Sequence, residues 1–166
     1  GTESLRNNIL SNRNVAVGFQ SLFHHNTTNA TDAYNTAVGF KAGNAVTTGI
    51  NNTLIGGLAG DSITTADNNI AIGKSALGAT TIGNTNIAIG SLALQTNVAA
   101  DRNVAIGHQA LTTMTSATTA DTYNVAVGYN AGYAVTSGTL NTLIGGLAGD
   151  ALTTGSENVA MGYGAL

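Results

Sequence analysis

The chain has 166 residues, with 22 Gly, no Pro, no Cys and no Trp, and only 8% of it is charged, against about a quarter in an ordinary globular chain. The absence of cysteine excludes disulfides and thiolate metal sites, and a dispersed net charge of -3 leaves no basic footprint for nucleic acid or an anionic membrane. No apolar run approaches the roughly 20 residues that span a bilayer, so membrane insertion of this segment is not expected.

From its first residue the chain repeats itself. A glycine recurs at Gly18, Gly39, Gly56, Gly73, Gly90, Gly107, Gly128, Gly145 and Gly162. Gly1 is in phase, because Gly1-Thr-Glu-Ser-Leu5 matches Gly18-Phe-Gln-Ser-Leu22. The units are 17 residues long except for two of 21, which open at Gly18 and Gly107. A longer period lies over this one. Gly18 and Gly107, Gly39 and Gly128, Gly56 and Gly145, and Gly73 and Gly162 are each 89 residues apart, and Asn52 to Asp61 recurs letter for letter as Asn141 to Asp150. Residues 1–166 therefore form a single repeat array. Neither end has the polar capping unit that solenoids use, which predicts a piece of a longer fibre.

Each unit predicts one firm strand. Asn14-Val-Ala-Val-Gly18, Asn69-Ile-Ala-Ile-Gly73 and Asn103-Val-Ala-Ile-Gly107 are short, rich in β-branched residues and closed by glycine. Period-two geometry puts Val15 and Val17 on one face and Ala16 on the other. Both faces are apolar, yet a single-chain solenoid has only one inside. The Ala/Leu face is therefore expected to line an oligomer axis, with Leu54, Leu143, Ala71, Ala88 and Ala105 as the packing layers and Leu54→Asp as the change that disrupts assembly. After the glycine, a variable pair such as Lys74-Ser75 reads as an exposed turn, and an Ala-Leu pair such as Ala76-Leu77 as the return to the interior. The Thr/Asn-rich remainder reads as a second, more exposed strand. Nine to ten coils at about 4.8 Å each give a rod of roughly 45 Å.

Asparagine opens every complete motif, at Asn14, Asn35, Asn52, Asn69, Asn86, Asn103, Asn124, Asn141 and Asn158. Stacked in register, these amides are expected to form a structural ladder. The two long units carry four extra residues within Phe23 to Tyr34 and Thr112 to Tyr123, and insertions in a solenoid bulge from one face. Phe23, His24, His25, Tyr34, Met114 and Tyr123 are thus the candidate surface-contact residues.

No catalytic constellation is evident. Gly73-Lys-Ser75 imitates the end of a phosphate-binding loop, but Asn68 stands where that motif needs its first glycine. Gly56-Gly57-Leu-Ala-Gly60 precedes no helical pattern, as a dinucleotide fingerprint would require. His24 and His25 are adjacent and point apart in an extended segment, so they read as solvated surface histidines. Asp61, Asp67, Asp101, Asp121 and Asp150 are scattered over turns without a nearby partner base, and Asp61 and Asp150, at the same repeat position, read as turn formers. The expectation is no enzyme activity, no cofactor and no metal.

The Asn-Val-Ala-Ile-Gly core, followed by two variable residues and Ser or Ala, resembles the head repeats of trimeric autotransporter adhesins. The fuller Asn-Thr-Ala-Val-Gly-x-x-Ala pattern with its Asn/Thr-rich spacer resembles repeats of phage tail fibres. This resemblance covers essentially the whole chain. It implies an all-β fold, a parallel β-solenoid (left-handed β-roll or β-helix) with coils of 17 or 21 residues, assembled as a side-by-side homotrimer. It also implies an extracellular place, on a virion tail fibre or a bacterial cell surface, where the partners are further copies of the chain and a host cell-surface glycan or protein. Two rival expectations follow from the residues. One is an ice- or crystal-surface binder built on Thr47-Thr48, Thr64-Thr65 and Thr153-Thr154; the other is a fibre-borne polysaccharide depolymerase, which would need acids paired across chains.

Overall fold

The computed structural model describes residues 1–116 and 118–166. It is an all-β solenoid of about nine turns, with no helix among the described residues. Each turn contributes one three-residue strand: Val15–Val17, Thr36–Val38, Thr53–Ile55, Ile70–Ile72, Ile87–Ile89, Val104–Ile106, Val125–Val127, Thr142–Ile144 and Val159–Met161. These nine stack in chain order into one parallel sheet. The register never slips. Ala16, Ala37, Leu54, Ala71, Ala88, Ala105, Ala126, Leu143 and Ala160 pair in a single file.

The expected second strand is present only beside the two long units, where Ser11–Asn12 pairs with Thr31–Asp32 and Ala100–Asp101 with Ala120–Asp121. Elsewhere that side of the coil is bends, but turn-to-turn hydrogen bonding continues through it. Thr64 N–H donates to Thr81 O at 3.0 Å and Leu77 N–H to Ala93 O at 3.1 Å. Backbone groups are thus satisfied between turns round much of the circumference, as their burial demands.

The two faces of the strand are reversed relative to the expectation. Leu54, Leu143, Ala71, Ala88 and Ala105 are all fully buried within the single chain, so they form its core and do not line an oligomer axis. The flanking Val and Ile residues point outward. The reason is the narrow bore of the coil. Across from the strand stand Leu22, Leu77, Leu94 and Leu111, with the Ala42 to Ala148 row beside them. Only alanine at the strand centre leaves room for those leucines. Where the centre is leucine, the residue across is glycine: a Cβ on Gly43 or Gly60 would stand 2.6 or 2.7 Å from a Leu54 methyl, and one on Gly132 or Gly149 would stand 2.8 Å from a methyl of Leu143. The volumes are exchanged between the two walls and the packing is preserved, as a close-packed core requires. Leu54→Asp would therefore unfold its own turn before it affected any partner.

Sharp corners are made by left-handed backbone at regular places. In one turn these are Asn68, Ser75 and Leu77, with φ of 60°, 55° and 51°, a conformation that costs a non-glycine residue roughly 1–2 kcal/mol. The motif glycine does something no other residue can. Gly90 has a φ of 131°, and a Cβ there would lie 2.4 Å from the carbonyl oxygen of Gly107 in the next turn.

Gly90→Ala is expected to lower unfolding free energy by about 3 kcal/mol or more, backbone strain and steric conflict combined. Gly162→Ala shares the strain, with a φ of 123°, but its Cβ meets nothing within 4 Å, so it should lose about half as much. Urea denaturation of the two variants compares them directly.

Candidate functional site

The asparagine at the head of each strand reaches along the axis. Its Oδ1 accepts the backbone N–H of the next turn's asparagine, from Asn35 onto Asn14 through to Asn158 onto Asn141, at 2.9–3.1 Å. Nδ2 donates across the coil to a carbonyl 14 residues ahead, as from Asn52 to Ala66 and from Asn86 to Ala100. Direct amide-to-amide bonds join Asn52 to Asn69, Asn69 to Asn86, Asn86 to Asn103, Asn124 to Asn141 and Asn141 to Asn158. Asn35 through Asn141 are fully buried. The ladder is a structural spine whose polar atoms are taken up internally from Asn35 onward, while Nδ2 of Asn14 is buried without a partner among the described residues.

A second ladder runs two residues ahead of the first. Ile50 N–H donates to Asp67, Asp67 N–H to Asn84, and Asn84 N–H to Asp101. Reading Asp67 and Asp101 as acids scattered over turns misses this. The 17-residue spacing of Asp67, Asn84 and Asp101 is the signal that would have found it.

The long segments do not present all their expected contact residues. His24, Tyr34 and Tyr123 are exposed and Phe23 is half-buried, but His25 and Met114 lie inside the coil. Both occupy the seventh place after the motif glycine, which Val46, Ile63 and Val135 fill in other turns, so the extra residues enter only after this inward position. The excursion itself is Thr28 to Ala30; in the second long turn Thr118 and Thr119 are the counterparts of Asn29 and Ala30, and the counterpart of Thr28 lies outside the described residues. Phe23 packs edge-on to His24 with Arg6 over its ring. Tyr34 and Tyr123 are each pinned by an arginine one super-repeat apart. Arg13 bonds the Tyr34 hydroxyl and pairs with Asp32, while Arg102 bonds the Tyr123 hydroxyl and pairs with Asp121. These arginines close the long turns, and their charge is spent there.

The outer face of the sheet is an unpartnered surface in the single chain. Its eighteen positions, two per strand, are Val, Ile, Thr and one Met, with no charged residue. They are half-buried in the middle of the array and more exposed at its ends, where Val15 is 50% and Val159 75% exposed. The face is about 38 Å long over eight strand spacings.

Other surfaces offer less chemistry. A shallow groove of about 400 Å³ is lined by Leu58, Asp61, Ser75 and Gln95, among others. Burial pushes the Asp61 carboxyl above its usual range, against the opposing influence of a hydrogen bond from its own backbone and of Lys41. No base stands opposite it. Thr47 and Thr64 donate their hydroxyls to Thr64 O and Thr81 O of the next turn, so that the first threonine of those two pairs is consumed internally. Among the described residues no three His, Asp or Glu side chains converge to hold a metal ion. No family model, curated protein or solved structure matches the chain.

Two outcomes follow. Asn86→Ala strands the N–H of Asn103 in the interior and removes one of the two amide donors to the Ala100 carbonyl, which keeps Asn97 Nδ2, at a cost of about 2 kcal/mol; Asn158→Ala, at the last rung, should cost less than about 1 kcal/mol, both read by urea titration. His25 is buried with its Nδ1 unpaired, and desolvation lowers its pKa below 6.5, partly opposed by the Thr47 backbone. The folded state thus prefers neutral imidazole, so stability is full above pH 6.5 and falls as the pH drops below it. His25→Val, which copies Val46, should abolish that component of acid sensitivity when urea midpoints are compared at pH 7.5 and 5.5.

Proposed function

We propose that this chain is a rigid segment of an extracellular fibre, a tail-fibre shaft or an adhesin head, that assembles side by side with two further copies. The observation that carries the proposal is the outer sheet face, apolar and uncharged through nine consecutive turns. Its estimated area is on the order of 400 Å², taking about 38 Å by about 10 Å, and contiguous apolar patches of that size are often functional. The face is in register and one repeat deep at every level, so a second copy of the same sequence matches it turn for turn. The number three comes from the resemblance to trimeric adhesin heads and tail fibres.

The division of labour within a turn supports a mechanical role. The inward alanines and leucines and the buried asparagines hold the coil; the outward isoleucines and valines are left for neighbours; the corners and long turns face solvent. Contacts on those outer corners would be repeated at every equivalent turn and in each copy, so weak individual binding to a host-surface glycan or protein is multiplied by avidity.

Light scattering of the 16.5 kDa chain should give three times the chain mass. Ile72→Asp combined with Ile89→Asp, in the middle of the face, should give monomers that keep their β circular dichroism, while Thr65→Asp on another side should leave the mass unchanged. A native chain that stays monomeric at high concentration would sink the assembly.

A further inference from the structure

The corner just past the motif glycine carries a second repeated feature, built from side chains that the spine does not use. The first residue after the glycine is Phe19, then Phe40, then Gly57, then Lys74 in four successive turns. Phe19 and Phe40 are exposed and stacked, with centroids 5.7 Å apart and planes within 11°. The next rung adds no ring to that stack: a Cβ on Gly57 would meet nothing within 4 Å, and only the Lys41 side chain reaches over the Phe40 ring there. One super-repeat later the same row reads His108, Tyr129, Gly146 and Tyr163, with His108 and Tyr129 stacked at 5.4 Å and 9°. There the place over the glycine is taken, because Tyr163 Cδ2 lies 3.4 Å from where a Gly146 Cβ would be. The protein thus seats a six-membered ring of its own over Gly146 and leaves the equivalent place over Gly57 open.

Charge singles out the open copy. The chain has two lysines, Lys41 and Lys74, and both border Gly57: Lys41 follows Phe40, with its ammonium 5.5 Å from the ring centroid, and Lys74 follows Gly57 in the row. All three arginines are held in ion pairs with Glu3, Asp32 and Asp121, whereas neither lysine has one among the described residues. Lys41 acts electrostatically on the Asp61 carboxyl.

We propose that the gap over Gly57 is a binding site for an acidic sugar, a pyranose ring that stacks on Phe40 and places its carboxylate between Lys41 and Lys74. A ring centred on the Gly57 rung stands at the spacing of the protein's own stacked rings, 5.4–5.7 Å from centroid to centroid. A flat face makes full contact at about 3.5–4.0 Å, and a gap of even 0.5–1 Å forfeits about a quarter to a half of the dispersion energy. A puckered ring with axial C–H groups fills that distance while still reaching Lys74. One chain builds the whole site, so it does not depend on self-association.

The test is calorimetric titration of the full chain with hexagalacturonate, with a neutral galactan hexamer and with benzoate, light scattering being run on every sample. Hexagalacturonate should bind, and the neutral hexamer and benzoate should bind at least about fivefold more weakly, since each exposed charge contact contributes up to about 1 kcal/mol. A Cβ at Gly57 meets nothing within 4 Å, so Gly57→Phe should add a third ring to the stack and abolish binding with no loss of melting temperature and no change of mass. Lys41→Gln and Lys74→Gln should each erase part of the preference for the acidic hexamer. The site is overturned if native protein does not bind hexagalacturonate, if Gly57→Phe binds as native does, or if the neutral hexamer or benzoate binds equally well. An unchanged mass in Gly57→Phe separates loss of this site from loss of the assembly.

Discussion

One carboxamide per turn sets the height at which the next turn is laid. It accepts the following turn's backbone N–H and donates to a carbonyl on its own far wall, so it fixes both the rise along the axis and the closure of the coil. A shorter or longer side chain at this point could do one of these but not both. The motif glycine, four residues on, complements it from the other direction. The amide holds successive turns at one strand spacing, and the glycine keeps any side chain from forcing them apart. With these two positions fixed, the strand needs only three residues, and the corners can hold leucines and serines in left-handed backbone that would be unfavourable in isolation.

Because the spine meets its own polar requirements, the remaining positions in each turn are free to differ. That separates support from display. The Thr/Asn-rich side, the corner row and the long turns vary between turns without disturbing the register, which holds through both 21-residue units. The long turns show how much variation is tolerated: four extra residues are absorbed as a short outward excursion, and an arginine straps each excursion down over a tyrosine.

Much of this could be read from the residues. The 17-residue period, the strand and the asparagine spine follow from spacing and residue type alone. Which side of the strand faces inward did not, because Val-Ala-Val is apolar on both sides and alternation carries no sign. The deciding clue was volume and not hydrophobicity. Leucine replaces alanine at the strand centre only where Gly43 and Gly60, or Gly132 and Gly149, stand across the coil. His25 and Met114 were hidden for a related reason. Their segment looks like an insertion from its start, yet its first residues still follow the regular turn, so the seventh place remains interior whatever occupies it. The Asp67, Asn84 and Asp101 ladder was missed because acids and amides were considered as different chemistry, although either oxygen accepts the same N–H.

The exchange of volume between Leu54 and its two glycines has a consequence for how such a chain can grow. Gly43 and Gly60 lie in consecutive turns with Leu54 between them, so the matched set spans two turns. Duplicating the single turn Gly56 to Ile72 would copy Gly60 opposite an alanine and leave a void; deleting it would press Leu54 against Leu77. A duplication of 89 residues carries leucine and glycines together and leaves neither fault. The gene can therefore lengthen the rod in large blocks more safely than in single turns, and the interior acts as a proofreader of recombination.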